Sequence, residues 1–308
     1  VVVVGSANVD IISRVDHLPT PGETLLARQA AFRPGGKGAN QAVAASRLGA
    51  DTTLYAAVGA DAFGRQLRDS LGADGVRVEH VTEIDGESTG VALIVVAADG
   101  ENTIVVASGA NHALRPAALA GLADALTPQD VLVLQLEIPV ETCCAAASAA
   151  RRAGARVVLN AAPPPRPDDP SSTELLSHVD VLIVNETEAA SLAGLPARSG
   201  SQEWSDIAGK LCRQGPSACV VTLGAHGAAA HDGTVGWTRP AFPADVVDTT
   251  GAGDAFCGAV AVALADSATL AEAVRQGCAA GALATGQLGA QSALPTRDAL
   301  DALIDGEA

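Results

Sequence analysis

The 308-residue sequence has no methionine and few aromatic residues: two Trp, one Tyr and four Phe. It therefore lacks the ring platforms on which single-stranded nucleic acids stack, and its formal net charge of −16 disfavours a phosphate-backbone partner. No apolar run is long enough to span a bilayer, and no basic segment leads into an apolar one as in a secretory signal. We therefore expect a soluble, cytoplasmic protein with no nucleic-acid partner and no membrane partner.

Metal-binding and disulfide patterns are also missing. The six cysteines form no C-x-x-C pair and lie in apolar or Ala-rich surroundings, which favours free buried thiols in a reducing compartment. The histidines show no metal-ligand spacing, and we expect the two tryptophans to serve in packing. Because Val1 already lies in the first expected strand, we expect the initiator Met, with or without a short leader, to precede it.

Strand and helix patterns alternate along most of the chain. Short β-branched runs such as 1–5, 131–137 and 218–224 are typical of buried parallel strands, and Ala-rich helical segments separate them. This alternation predicts an α/β fold, a doubly wound and mostly parallel sheet with helices on both faces, in a single domain over 1–308. Segments 11–34 and 86–110 lack this pattern and predict a small inserted antiparallel sheet.

Polar residues follow several of these strands at their carboxyl ends, where open α/β sheets bind ligands. They are Asn8, Asp10, Glu137, Asn185, Glu188 and Thr222. Asn8 and Asp10 would face the same side of an extended segment, which suits the hydroxyls of a small polar ligand. Two structural alternatives stay open: an Asx-type turn at Asn8 and Asp10, and a strand-to-helix cap at Glu137.

Two glycine clusters each lead into an expected helix. The first, Pro34-Gly35-Gly36-Lys37-Gly38, is not a Walker A loop and suits close backbone approach to a ligand, although a flexible loop with a solvated Lys37 is the alternative. The second, Gly251-Ala252-Gly253, follows an apolar run that we expect to form a strand ending at Asp248. Its free amides would form an anion site beside Asp254, which is otherwise an ordinary N-cap.

Four motifs in order resemble the ribokinase family of sugar kinases. They are Gly5-Ser6-Ala7-Asn8-Val9-Asp10, Gly35-Gly36-Lys37-Gly38-Ala39-Asn40-Gln41-Ala42, Asn185-Glu186-Thr187-Glu188 and Asp248-Thr249-Thr250-Gly251-Ala252-Gly253-Asp254. The segments 86–92 and 289–291 also read as in this family, so the resemblance covers essentially the whole chain.

The resemblance implies a Rossmann-like domain whose small sheet is a lid, commonly shared across a homodimer. It also implies ATP-dependent phosphorylation of the 5-hydroxyl of D-ribose, with Asp254 as the base and an anion hole at Gly251, Ala252 and Gly253. The sugar hydroxyls would be held by Asn8, Asp10, Gly36, Lys37, Asn40, Glu137 and Asp254.

The resemblance further implies a nucleotide site with magnesium and a monovalent cation, usually potassium. The nucleotide side would comprise Asn185, Glu188, Thr222, Leu223, Gly224, Ala225, His226, Gly227, Gly253 and Cys278, with Glu188 organising the magnesium–phosphate complex through water. The potassium positions are Asp248, Thr250, Ala284, Gln287, Gly289 and Ala293. Many relatives offer a serine hydroxyl at position 293, and here Ser292 lies one residue early.

Other functions remain as alternatives. A related kinase could act on 2-deoxyribose, fructose or a nucleoside, although the pair Asn8 and Asp10 favours a compact polyhydroxylated sugar. A non-catalytic sugar or nucleotide sensor would usually have lost the base or the anion hole, and both motifs are present. A Rossmann dehydrogenase is a third possibility, but no G-x-G-x-x-G follows the first strand.

Overall fold

The computed structural model describes residues 1–165, 169–195 and 204–306. The strands within these ranges are β1 (Val2–Val4), β2 (Asn8–Arg14), β3 (Ala30–Gly35), β4 (Thr53–Gly59), β5 (Val81–Ile84), β6 (Gly90–Val96), β7 (Asn102–Ala107), β8 (Val131–Gln135), β9 (Arg156–Asn160), β10 (Val181–Asn185), β11 (Ala218–Thr222), β12 (Ala228–His231) and β13 (Gly236–Arg239). The α-helices are α1 (Lys37–Arg47), α2 (Ala62–Ala73), α3 (Ala110–Ala113), α4 (Leu122–Ala125), α5 (Val140–Ala153), α6 (Pro170–Leu176), α7 (Glu186–Leu192), α8 (Trp204–Cys212), α9 (Ala252–Ala265), α10 (Leu270–Ala284), α11 (Ala290–Ala293) and α12 (Arg297–Asp305). Among these described helices, no candidate has both the length and the apolar character needed to cross a membrane.

The larger sheet has nine strands in the order β13-β12-β11-β10-β9-β8-β1-β4-β5. From β11 across to β5 all neighbouring strands are parallel, whereas β12 and β13 run antiparallel at one edge. The carboxyl ends of the parallel strands therefore meet along one edge. The predicted doubly wound, mostly parallel sheet is confirmed.

The core lies on both faces of this sheet because successive side chains of a strand point to opposite sides. Val3 and Val133 pack with helices α1, α9 and α10 on one face. Val4 and Leu134 pack with α5, α7 and α8 on the other. Both faces are thus covered by helices, which explains the near-continuous apolar sequence of the strands.

Helix α9 carries the second glycine cluster at its start and is buried from Asp254 to Leu264. It packs between α10 and α1. An apolar surface on all sides of a helix is expected when neighbours enclose it, and this accounts for its run of Ala, Val and Leu. The first turn of α9 is consequently a fixed point in the molecule.

The smaller sheet has four strands in the order β3-β2-β6-β7. Strand β2 pairs antiparallel with β3 and parallel with β6, and β6 forms an antiparallel hairpin with β7. The predicted small separate sheet is therefore confirmed, but the expectation that it is wholly antiparallel is wrong, because β2 and β6 pair in parallel. Strand β7 lies at its edge with all six residues exposed.

The expected strand ending at Asp248 is wrong. Residues 240–248 form no helix and no strand, and strand β13 ends at Arg239. Pro240 and Pro243 lack the backbone N–H that a ladder requires, so the apolar run continues as a loop. The sequence interpretation also missed the edge strands β5, β12 and β13.

Candidate active site

Helices α1 and α9 begin side by side at the carboxyl edge of the large sheet, and each has a glycine in left-handed backbone conformation as its N-cap. Gly36 has φ of 88° and Gly251 has φ of 82°. A Cβ on Gly36 would lie 2.7 Å from the backbone N of Asn8, and one on Gly251 would lie 2.9 Å from Cα of Ala290. Both helix starts therefore depend on glycine for conformation and for space.

Asp254 lies in the first turn of α9 and is 7% exposed. Its Oδ2 accepts a hydrogen bond of 2.8 Å from Asn40 Nδ2, and its Oδ1 accepts one of 2.9 Å from Gln41 Nε2. It caps no backbone amide, so the N-cap alternative is wrong: Gly251 occupies that position. Burial raises the pKa of Asp254, and Lys37 together with these two amides opposes that rise.

Lys37 is partly buried at the start of α1 among carboxylates. Burial alone would lower its pKa, but the charges of Asp254, Glu137 and Glu188 raise the pKa above its usual value. The lysine is therefore a fixed cation at neutral pH. The alternative of a solvated lysine on a flexible loop does not hold.

Glu137 connects the end of β8 to the start of α1. Its Oε2 accepts hydrogen bonds from Ser6 Oγ and, at 3.2 Å, from the backbone N of Lys37. The carboxylate thus stabilises the first amide of α1 and also borders the adjoining cleft. Its contact with sugar hydroxyls stays a prediction.

Asn8 and Asp10 lie on strand β2, so the Asx-turn alternative does not apply. Asn8 is buried, and its Oδ1 accepts a 2.7 Å hydrogen bond from Asn111 Nδ2. Asp10 accepts no hydrogen bond from the described residues and lies directly over Gly35. Burial, with the charges of Glu137 and Asp254, raises the pKa of Asp10 to about 7.

Three adjoining clefts meet around these residues. The first, about 660 Å³, includes Asn8, Lys37, Asn111, Glu137 and Glu188 in its lining. The second, about 220 Å³, contains Asp254 and shares Lys37, Asn185 and Glu188 with the first. It shares Thr222, Thr249 and Gly253 with the third cleft. Asp254 therefore lies in the passage that joins the two larger clefts.

The third cleft, about 530 Å³, is mainly apolar and lies between the turn after β11 and helices α9 and α10. Phe242, Val246 and Phe256 line it, and the sequence interpretation had not assigned them to a site. The expected nucleotide residues in its lining are Thr222, Gly224, Ala225, Gly227, Gly253 and Cys278. Leu223 and His226 belong to the same turn but do not line the cleft.

Asn185 and Glu188 form a reciprocal cap at the start of α7. Glu188 Oε2 accepts from the Asn185 backbone N at 2.8 Å, and Asn185 Oδ1 accepts from the Glu188 backbone N at 2.8 Å. Burial raises the pKa of Glu188, and the Asn185 amide and Lys37 oppose that rise. Glu188 Oε1 accepts no hydrogen bond from the described residues. This oxygen is therefore available to a water molecule bound to magnesium, an ion that gives up its water ligands reluctantly.

Asp248 joins the loop before α9 to the start of α11. Its Oδ1 accepts from Thr250 N at 3.0 Å and from Thr250 Oγ1 at 2.7 Å, and its Oδ2 accepts from Gly289 N at 2.8 Å. Burial opposes ionisation, but the bonds from Gly289 and Thr250 lower the pKa of Asp248. The charged carboxylate of Asp248 therefore holds Thr250 and Gly289, two of the other expected potassium positions, close to each other.

The remaining expected cation positions offer backbone carbonyls. Ala284 ends α10, Gln287 precedes Gly289, and Ala293 ends α11. A carboxylate with carbonyl oxygens suits potassium, which proteins bind through carbonyls that replace its hydration shell. Ala293 has no side-chain oxygen, and Ser292 Oγ donates to the Leu288 carbonyl at 2.7 Å. Among the described residues, no group of three or more His, Cys, Asp or Glu side chains could hold a metal ion.

Sequence reasoning gave no role to the buried amides around the site. Gln41 bonds Asp254 directly, and Asn111 bonds Asn8 together with the backbone N and O of Ala7. Gln135 and Asn160 form hydrogen bonds with Gln41, and Gln291 forms one with Asn40. The available signal was polarity: Gln41 is a long polar side chain in an otherwise Ala-rich buried helix.

Comparison with known proteins places the chain among sugar kinases. The family of pfkB carbohydrate kinases matches residues 1–297. The chain is 37% identical over 295 residues to the ribokinase of Haemophilus influenzae, covering 96% of this chain and 95% of that protein. It is also 34% identical to the deoxyribokinase of Salmonella typhi, covering 96% and 95% respectively.

Solved structures show the same fold. The crystal structure of ribokinase from Thermotoga maritima matches with a TM-score of 0.88 and 33% identity, covering 99% of this chain and 98% of that chain. The Arabidopsis thaliana ribokinase, complexed with ribose and ATP, matches with a TM-score of 0.87 and 34% identity, covering 98% and 97%. With a family match over residues 1–297, this chain belongs to the pfkB family of carbohydrate kinases.

Proposed function

We propose that the protein transfers the γ-phosphoryl group of ATP to the 5-hydroxyl of D-ribose, giving ribose 5-phosphate and ADP. The position of Asp254 carries this proposal, because the carboxylate lies in the passage between a cleft that has charged and amide side chains in its lining and a mainly apolar cleft. The similar Arabidopsis ribokinase, complexed with ribose and ATP, supports the assignment of the two ligands.

The residues around the passage supply what phosphoryl transfer requires. Asp254 accepts the proton of the sugar hydroxyl as its oxygen bonds to phosphorus and the bond from the γ-phosphorus to the ADP oxygen breaks. The amides of Gly251, Ala252 and Gly253 at the start of α9 stabilise the charge on the transferred group, with Ala252 N also donating to the Thr249 carbonyl at 3.3 Å. Asn8, Asp10, Gly36, Lys37, Asn40 and Glu137 orient the sugar.

Two cations complete the site in this proposal. Magnesium would be held through water by Glu188, with Asn185 beside it, and would neutralise phosphate charge when bound with ATP. Potassium would be held by Asp248 and the carbonyls of Thr250, Ala284, Gln287 and Gly289, with Ala293 contributing no side-chain oxygen. Because Asp248 also bonds Thr250 and Gly289, this loop would keep the start of α9 in place.

Turnover of a sugar panel tests the substrate. ADP release should be fastest with D-ribose and slower with 2-deoxyribose, fructose and adenosine, because Asn8 and Asp10 suit a compact polyhydroxylated ligand. Good turnover of another member without turnover of ribose would reject the substrate. Binding of ribose and ATP without ADP release would favour the sensor alternative.

Potassium dependence tests the cation loop. Replacing potassium with sodium or choline should lower kcat by about 5-fold or more, a typical magnitude for coupling between two sites. Asp248→Asn should abolish the difference among the three ions, since its amide would oppose the Gly289 N–H. Equal rates of the parent protein in all three salts would contradict this assignment.

The small sheet is proposed to act as a lid and as the contact of a homodimer. Of its segments, 11–34 and 86–110, the second contributes Val106 and Ser108 to the lining of the first cleft. Phe32, Leu93 and Val105 lie in one row across the sheet and are 47%, 48% and 59% exposed, an apolar surface that a second copy would cover. Light scattering at micromolar concentration should give twice the chain mass of 30.6 kDa. A value near 30.6 kDa would contradict the dimer.

A further inference from the structure

Each carboxylate oxygen of Asp254 begins a chain of buried carboxamides that leads away from the clefts. Oδ1 accepts from Gln41 Nε2 at 2.9 Å, and Gln41 Oε1 in turn accepts from Gln135 Nε2 at 2.6 Å. Gln41 Nε2 also donates to Asn160 Oδ1 at 3.1 Å. The first chain thus connects the start of α9 through α1 to the end of β8.

The second chain leaves from the other oxygen. Oδ2 accepts from Asn40 Nδ2 at 2.8 Å, and Asn40 Oδ1 accepts from Gln291 Nε2 at 3.1 Å. Gln41 and Gln135 are fully buried and Gln291 is 5% exposed. None of these three glutamines lines any of the three clefts, so they lie behind the site.

Both chains have the same polarity. An ionised carboxylate only accepts hydrogen bonds, so the amide next to it must turn its NH₂ inward and its oxygen outward. The next amide then meets that oxygen with its own NH₂. Each chain consequently ends in an outward oxygen, and both Gln135 Oε1 and Gln291 Oε1 are buried without a hydrogen-bond partner.

Two orphaned oxygens carry a cost in stability, because a buried acceptor without a donor forfeits its hydration. Apolar side chains at the outer positions would leave Gln41 Oε1 and Asn40 Oδ1 as the orphaned acceptors instead, on the two amides that bond Asp254 directly. The arrangement is explained if the amide donors at the inner ends of the chains, Asn40 Nδ2 and Gln41 Nε2, serve a function at Asp254.

We propose that Gln135 and Gln291 are positioning residues, which act through Gln41 and Asn40 to keep two amide donors on Asp254 and so hold it ionised and oriented toward the sugar hydroxyl. The inference rests on the proposed phosphoryl transfer. It assigns roles to residues that touch neither ligand cleft.

The charges around Asp254 explain why such donors are useful. Lys37 faces it as a cation, Glu137 and Asp10 are acidic neighbours, and the Cys257 thiol lies nearby. Burial is the largest influence and raises the pKa of Asp254, while Lys37 and the amides of Asn40 and Gln41 lower it. A protonated Asp254 would oppose those inward amides, so the chains also favour release of the proton it has accepted.

Gln135→Met gives the clearest test, because β8 contains no expected cation position and methionine has nearly the same volume. The acidic limb of the kcat profile should move to higher pH, with kcat about 3- to 10-fold lower at pH 6 and within about 2-fold of the parent at pH 9. The KM for the sugar should stay within about 2-fold. The unfolding temperature should change little, since the orphaned Gln135 Oε1 is removed while Gln41 Oε1 loses its donor.

Two further variants separate positioning from packing. Gln135→Glu reverses the polarity of the chain at almost constant volume, so its kcat near neutral pH should be lower than that of Gln135→Met. Thr142→Val is the matched control, because the buried Thr142 hydroxyl donates only to the Leu114 carbonyl and has no link to Asp254. A parental pH profile in Gln135→Met, or the same shift in Thr142→Val, would overturn the proposal.

A measurement without turnover distinguishes failure of this inference from failure of the proposed function. The unfolding temperatures of the parent, Gln135→Met, Asp254→Asn and the double variant form a cycle that can be followed from pH 5 to 9. The effects of positions 135 and 254 should be non-additive, although their side chains act only through Gln41. Additive effects on the unfolding temperature at every pH would reject the hydrogen-bond chain. A parent protein without ribose-dependent ADP release would reject only the proposed function. Gln291→Met in the same cycle tests the second hydrogen-bond chain, which runs through Asn40. It also replaces Gln135→Met if that variant does not fold.

Discussion

Asp254→Asn should lower kcat for ribose phosphorylation by about 10²- to 10⁴-fold, the usual contribution of a general base. An asparagine accepts no proton from the hydroxyl. It would also present an NH₂ group to one of two donors, Asn40 Nδ2 or Gln41 Nε2, which now hold the two carboxylate oxygens. Ribose affinity should change only a few-fold, because the other sugar-binding side chains remain.

The measurement pairs initial rates of ADP release with calorimetric affinity for ribose, so that loss of chemistry is separated from loss of binding. Asp266→Asn is the matched control, since it removes the same charge from the opposite end of α9, where Asp266 pairs with Arg297 on the surface. A kcat of Asp254→Asn within a few-fold of the parent would remove Asp254 from its role as base.

Gly253→Ala should make the protein more stable but less active. Gly253 is the second residue of α9 and is exposed, and a Cβ built on it meets no atom within 4 Å. Alanine should therefore raise the free energy of unfolding by about 0.4–1 kcal/mol, as at other compatible helical glycines. The same methyl group would project where the second and third clefts meet.

Because the transferred phosphoryl group is proposed to lie against this amide, kcat/KM for ATP should fall about 10- to 10³-fold, comparable to losing one donor of an anion hole. Gly72→Ala is the control: Gly72 is also exposed and helical with open space around its Cβ, but it lies in α2 away from the clefts. It should gain similar stability with parental kcat/KM. Parental kcat/KM in Gly253→Ala would place the phosphate elsewhere.

The inner parallel strands of the large sheet were predictable because each is a short apolar run buried on both faces, a pattern that requires no knowledge of its neighbours. The edge strand β5 is parallel too but was missed, since two of its four residues are exposed. The two glycine-rich helix starts were predictable for a similar reason, since the requirement at Gly36 and Gly251 is local backbone conformation. The loop before Asp248 was misread, because its apolar residues resemble a strand although Pro240 and Pro243 prevent pairing. Strand β12 was missed because its three alanines carry little strand preference.

The buried amides could not be assigned from sequence, because their partners are far apart in the chain. Gln41 and Asp254 are separated by 213 positions, and Asn8 and Asn111 by 103. No local pattern encodes such a pair, and the polarity of Gln41 alone signals only that a partner exists. The proposed catalytic motif was visible in the sequence, whereas the residues proposed to orient it became apparent only from the fold.

Asp10 would give the proposed ribose site a property that the uncharged sugar lacks. Burial and the charges of Glu137 and Asp254 raise the pKa of this carboxyl to about 7, and it accepts no hydrogen bond from the described residues, so both protonation states would be populated near neutral pH. A hydroxyl that donates to the carboxylate would select the ionised form and expel the proton into the buffer. Heats of ribose binding would then differ between phosphate and Tris by the number of protons released multiplied by the difference in ionisation enthalpy of the two buffers. A neutral sugar would bind with an affinity that rises as the pH rises through about 7.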